Sequence, residues 1–287
     1  MPAEPLPREE LIEQVYFFKT YRERLQENLP AQEILQTIRE EILATTRMPL
    51  AIDYLYDEIK HHGRISDGMQ RLSHYFTPFQ TCVITAAEDE KAKFDPTIAL
   101  QILEREADYR SNEPRPAGLF IYQFECIARN RIGYDAGLQS IADDPFYDDE
   151  WKSWIQMVKR NLGTRDFADF IFAYSEFALG EYRKQVRDDE AELKQPLLFD
   201  VQEGRIAKAN RDKDPLYMFA ALQRHLNYPK VPRGKRKSDE PAIHPALEAR
   251  LVRLEKRLQL LEMEQKNALD LSEFYKNPPD FSKDEPT

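Results

Sequence analysis

Residues 48–109 read MPLAIDYLYDEIKHHGRISDGMQRLSHYFTPFQTCVITAAEDEKAKFDPTIALQILEREADY, and this stretch decides the fold. Ala51, Tyr54, Leu55, Ile59 and His62 share one face at helical spacing. Gly63 closes that helix, because glycine accepts the left-handed conformation that a helix C-terminus favours. Ser66 is placed to cap a short helix carrying Met69, Leu72 and Phe76. Thr77-Pro78 and Asp95-Pro96 each set a capping oxygen before a proline at the first helical position, where the missing N–H costs nothing. Four helices in succession are expected.

The order of these features resembles the cytoplasmic domain of the type II secretion inner-membrane platform protein and its type IV pilus relatives. Gly63 to Met69 stands where that family has a helix-ending glycine and a short helix. Phe76-Thr77-Pro78-Phe79 is similar to its aromatic-Pro step, and Ala87-Glu88 to its Gly-Glu turn. The turn's second glycine is replaced here by Glu90-Lys91, with an extra residue before Phe94. The resemblance implies a six-helix domain that faces the cytoplasm and meets protein partners, an assembly ATPase or a membrane component. It also places the acidic turn of Glu88, Asp89 and Glu90 at a partner-binding position.

Upstream, Leu11, Val15, Phe18, Tyr21 and Leu25 form an amphipathic pattern that Asn28-Leu29-Pro30 breaks. Ile34, Leu35, Ile38 and Ile42 form the next, which completes six helices in a first domain at 9–110. Ser111 to Gly118 is rich in Pro and polar residues and reads as a linker. Beyond it the first domain looks written again. Setting Leu35-Gln36-Thr37-Ile38 on Leu138-Gln139-Ser140-Ile141 brings Phe17 onto Phe120, Tyr21 onto Phe124 and Ile52 onto Ile155. With one residue deleted, Ile65 falls on Phe167 and Met69 on Ile171. A spacing of about a hundred residues points to a duplicated domain, at 118–228, because solenoid units run roughly 20–50 residues. The run Arg187 to Lys194 is a candidate helix extension, and Pro196 to Asp214 carries mixed signals. Asp214-Pro215 opens a further helix offering Leu216, Phe219, Ala220 and Leu226 to a core.

A charged, Pro-rich linker is expected at 229–245, with the basic run Lys235-Arg236-Lys237 as solvated surface. Leu247, Leu251, Leu254, Leu258 and Leu261 then alternate spacings of four and three, the d and a positions of a coiled coil at 246–269. Arg250 with Glu255, and Arg257 with Glu262, are flanking pairs of opposite charge that a parallel two-stranded coil joins across chains. These leucines are the expected oligomerisation surface, against the plainer reading of a helix folding back on its own chain. The tail at 270–287 is polar with three aromatics and reads as disordered or as a short docking peptide.

Only 9 glycines, against 32% charged residues, favour long helices over a β fold of many tight turns. A net charge of −10 argues against bulk nucleic-acid binding. No run approaches the ~20 apolar residues that cross a bilayer, and MPAEPLPREE lacks the basic and apolar regions of a signal peptide. Cys82 and Cys126 sit in apolar helical patterns and are expected as buried reduced thiols. These features favour a cytoplasmic protein, free or peripheral to the inner membrane.

Chemistry-bearing motifs are scarce. The sequence has no GxxxxGK[ST], GxGxxG or GxSxG segment. His61 and His62 are adjacent and point to different helix faces, and His74, His225 and His244 have no patterned partners. Asp143-Asp144 and Asp148-Asp149-Glu150 could hold Ca²⁺ but lack EF-hand spacing, so helix capping is the expected role. The Glu-x-x-His pairs of a metal-carboxylate bundle enzyme are absent. The sequence therefore predicts an all-α protein of two tandem six-helix-type bundles and a C-terminal coiled-coil helix. It predicts a non-catalytic scaffold with no cofactor and no metal, which forms a homo-oligomer. A polymerising structural subunit and, more remotely, a metal-carboxylate enzyme are the alternatives.

Overall fold

The computed structural model describes residues 5–89 and 94–234, and in them the protein is all-α. Helices α1 (Arg8–Gln26), α2 (Ala31–Glu41), α3 (Met48–His62), α4 (Ile65–Arg71), α5 (Pro78–Glu88) and α6 (Pro96–Ser111) form the first half. The second comprises α7 (Pro116–Asn130), α8 (Tyr134–Ala142), α9 (Asp149–Asn161), α10 (Phe167–Ala173), α11 (Glu176–Val186), α12 (Val201–Ala209) and α13 (Pro215–Leu226). None of these helices is long and apolar enough to cross a membrane. The heptad leucines Leu247, Leu251, Leu254, Leu258 and Leu261, the basic run and the tail lie outside the described residues, as does Glu90.

Local chemistry sets most helix boundaries. Thr77 and Gln80 make a reciprocal capping box at the start of α5, and Asp95 accepts from the Thr97 amide at the start of α6. Asp148, Asp166, Ser175, Asp200 and Asp214 cap α9 to α13 in the same way. Gly63 ends α3 at φ 74°, a left-handed conformation in which a side chain is strained. Two expectations are corrected. Ser66 lies inside α4 rather than capping it, and α4 begins after Arg64, whose side chain makes no cap. The run after Arg187 is not helical: α11 ends at Val186, with Arg187 itself left-handed, and the chain returns to helix at α12.

The break between the halves is also shorter than its composition implied. Only residues 112–115 separate α6 from α7, because Pro116 serves as a first helical residue and Ala117 and Gly118 are buried behind it. In the first half α1 runs along α6, while α2 and α3 pair and α4 bridges α3 to α5. In the second half α7 packs on α13 and α8, and α12 on α10 and α11. The halves meet where α5 touches α8 and α6 touches α7. Residues up to Gly234 make one compact unit with one continuous apolar core.

Most positions aligned from the sequence have matching environments, the exception being Ile65, half-buried where Phe167 is buried. Phe17 and Phe120, Tyr21 and Phe124, Leu35 and Leu138, Ile38 and Ile141, Ile52 and Ile155, and Met69 and Ile171 are all buried. The second half is the more aromatic. Phe124 stacks on Phe167 at 3.9 Å, and Trp151 and Trp154 enclose Phe199 from the segment before α12. On α13 the core is filled by Met218, Phe219, Leu222 and Leu226, whereas Leu216 and Ala220 face solvent. The segment after α13 is packed rather than free: Tyr228 and Val231 are buried, and Asn130 donates to the Pro232 carbonyl.

Candidate functional site

The acidic turn at the end of α5 is partly an internal device. Glu88 Oε1 accepts from the Ile65 amide at 2.6 Å, and Oε2 accepts from the Ser66 amide at 3.0 Å. A helix starts with unpaired N–H groups, and a carboxylate there also meets the positive end of the helix dipole. Glu88 thus supplies the cap that Ser66 does not, and ties the end of α5 to the start of α4. Asp89 follows as the exposed C-cap of α5.

The acids around 143–150 divide by role. Asp148 Oδ1 accepts from the Trp151 amide and Asp149 and Glu150 occupy the first turn of α9, which is the capping role. Asp144 is different: fully buried, it pairs with Arg110 and accepts from the Phe146 amide. Arg110 Nε also donates to Glu106 at 2.7 Å. Burial alone would drive the Arg110 guanidinium toward neutrality, but Asp144 and Glu106 reverse that and hold it charged. Glu106 accepts further from Gln80 and Gln123, each at 3.0 Å, and Tyr147 donates to Gln123. A connected polar network therefore runs from α5 through α6 and α7 to the α8–α9 loop, with its donors and acceptors matched. Above it lies a cleft of about 290 Å³ walled by Leu6, Leu11, His74, Phe76, Pro145 and Phe146. Its chemistry is apolar, and Arg110 at its base is committed to the two carboxylates.

A second cluster joins α12 to α13. Asp200 Oδ1 accepts from the Gln202 and Glu203 amides, and Glu203 Oε2 accepts from the Asp200 amide. This capping box uses one oxygen of each carboxylate. The others, Asp200 Oδ2 and Glu203 Oε1, stand 3.5 and 3.8 Å from His225 Nε2. Arg115 Nη1 lies 3.1 and 3.2 Å from the same two oxygens. Glu203 is fully buried, and its Oε1 has no hydrogen-bond partner. Burial raises its carboxyl above the ordinary range, assisted by the neighbouring Asp200 charge. Burial also pushes Asp200 upward, but the Glu203 amide and Arg115 outweigh it and bring that carboxyl below its ordinary value.

No family model, curated protein or solved structure matches this chain.

The remaining candidates are placed simply. Cys126 is buried and Cys82 half-buried, and both are free thiols. Burial raises both, Cys126 strongly, which keeps them protonated and poor nucleophiles. His62 sits at the exposed end of α3, 3.9 Å from Glu58. The cluster at Asp200, Glu203 and His225 was missed by sequence reasoning. Asp200-Val201-Gln202-Glu203 carries the S/T/D-x-x-E signal of a helix start, which would have revealed α12, but His225 is brought in by tertiary packing alone.

Proposed function

We propose that the chain is a non-catalytic scaffold whose helical surfaces bind protein partners. The observation that carries this reading is the exposure of large apolar side chains around the turn between α2 and α3. Leu43 and Leu50, 61% and 71% exposed, flank the turn between α2 and α3. Glu13 accepts from the Leu43 backbone, and Glu10 Oε1 accepts from the Arg47 amide at 2.8 Å, which fixes that turn beside α1. Ile12 and Tyr16 on α1 are also exposed, and the Tyr16 hydroxyl donates to Glu41 at the end of α2. An apolar cluster rimmed by charge is the usual form of a protein-binding surface, with the rim setting specificity.

Shared burial at most of the aligned positions supports the reading of two tandem bundles, at 9–110 and 118–228, although the second half holds seven helices where six were expected. The kinship with secretion-platform domains remains our proposal, and with it an assembly ATPase or a membrane component as partner. Asp89 and Glu90 would add charge to a docking face, with Glu88 holding the turn in place. Self-association is proposed through Leu247, Leu251, Leu254, Leu258 and Leu261.

The partner test is capture from native lysate by the full chain and by its Leu43→Glu/Leu50→Glu variant. Loss of a discrete partner from the variant, with its helical content intact, is expected; an unchanged set of captured proteins would overturn the reading. For self-association, ending the chain at Pro245 should convert a dimer or larger species to monomer by light scattering. An unchanged mass would dismiss that part.

A further inference from the structure

The cluster between α12 and α13 carries an inference of its own. Its three inward atoms come from two helices: Asp200 Oδ2, Glu203 Oε1 and His225 Nε2 all lie within 4.8 Å of one another. The capping box has already fixed both carboxylates, so these oxygens are held in place by the fold and not by flexible side chains. The observation that points to a ligand is Glu203 Oε1. It belongs to a fully buried side chain and makes no hydrogen bond, and the cation that meets it, 3.2 Å away, is the largely exposed Arg115. A buried carboxylate oxygen left without a hydrogen bond is costly and calls for an explanation.

We propose that Asp200, Glu203 and His225 form a binding site for a divalent transition metal of the Zn²⁺ class, and that the Arg115 guanidinium is the cation it displaces. Three protein ligands and one open position describe the common three-ligand zinc arrangement. Bonds of roughly 2.0–2.1 Å in a tetrahedron set ligand atoms about 3.4 Å apart, and the separations from His225 Nε2 are 3.5 and 3.8 Å. Along those two edges the contraction needed is a few tenths of an ångström, and the carboxylate–carboxylate edge lies within 4.8 Å. An imidazole beside two carboxylates favours zinc and its neighbours over Mg²⁺ or Ca²⁺, which take oxygen ligands.

Arg115 makes displacement feasible. Its side chain is 55% exposed and rises from the residue just before α7, so it can turn out to water. It brings one positive charge to two carboxylates, whereas a divalent ion balances both. The metal would clip α12 to α13 and fasten the far end of the second half.

The test uses the full chain, stripped with EDTA and titrated with zinc chloride by calorimetry near neutral pH. One equivalent per chain is expected, with a rise in thermal midpoint that EDTA reverses. Co²⁺ in place of Zn²⁺ should give the visible absorption of a tetrahedral site. His225→Gln and Glu203→Gln should each weaken uptake by more than the roughly 10–100-fold that outer-shell changes cost. Both variants keep a neutral acceptor and should retain the helical signal. Arg115→Gln should bind zinc more tightly than the parent. No stoichiometric uptake would overturn the proposal. So would uptake that survives both His225→Gln and Glu203→Gln, or weaker binding in a folded Arg115→Gln protein.

Discussion

Arg110 on α6 and Asp144 in the α8–α9 loop form an ion pair across the break between the two halves, with side chains 8% and 1% exposed. Glu106, fully buried, completes the group from the previous turn of α6. Two buried carboxylates share one cation, so the partners are not equivalent.

Removing the cation should therefore hurt more than removing one acid. Arg110→Met leaves two uncompensated negative charges and should cost about 3–5 kcal/mol. Asp144→Asn leaves Glu106 and Arg110 as a balanced pair, keeps an acceptor for the Phe146 amide, and should cost distinctly less. Urea unfolding of the two variants decides the matter; equal losses would show that charge balance is not what the network supplies.

The Glu88 clamp has a local signature. Glu88→Ala frees two amides in the first turn of a seven-residue helix and should destabilise by about 1–2 kcal/mol. Glu88→Gln retains one good acceptor and should fall between. Hydrogen exchange at Ile65 and Ser66 should accelerate in the alanine variant more than at amides of α6.

Two helical glycines should respond in opposite directions to alanine. A Cβ on Gly204 would run into the Ser175 side chain, where α12 crosses the capped start of α11. Gly204→Ala should lower the thermal midpoint. Gly180, within α11, has nothing within 4 Å of the added carbon, so its alanine variant should gain roughly 0.5–1 kcal/mol from helix propensity. A Gly204→Ala protein as stable as the parent would contradict the close crossing.

Burial lifts the Glu13 carboxyl above its ordinary value; the Leu43 amide opposes this and the Glu10 charge adds to it. A folded-state pKa raised above the unfolded one favours folding at low pH, and that contribution is lost as pH rises through the folded value. Glu13→Gln keeps an acceptor for Leu43 without the charge. Its thermal midpoint should exceed the parent's at pH 7 and converge with it at about pH 4 and below. Calorimetry across that range checks the sign, since a gap constant with pH would exclude titration as the cause.

What could be read in the sequence was what neighbours in the chain decide. Thr77-Pro78, Asp95-Pro96 and Gly63 act within one turn of helix, and each does what its residue type predicts. The apolar face of α2 followed from periodicity for the same reason, whereas the buried face of α1 takes in Glu10, Glu13 and Gln14, and that of α3 takes Glu58 and leaves His62 exposed. Glu88 capping a helix 22 residues earlier, Asp144 meeting Arg110 across 34 residues and His225 meeting Asp200 across 25 are choices made by packing. No spacing rule reaches them. The α12 helix is the exception that was available: its capping box is local, but the surrounding prolines and charges obscured it.

The sharing of Glu106 bears on how the molecule can be taken apart. Its oxygens accept from Gln80 on α5 and from Gln123 on α7, so one carboxylate is solvated by both halves at once. A nick in residues 112–115 could pass unnoticed while the pieces stay together. Once they part, the first fragment loses the amide of Gln123, and the second carries Asp144 with no cation. Cleavage in that connector followed by separation should therefore destabilise the second fragment, which keeps the buried Asp144 without its Arg110.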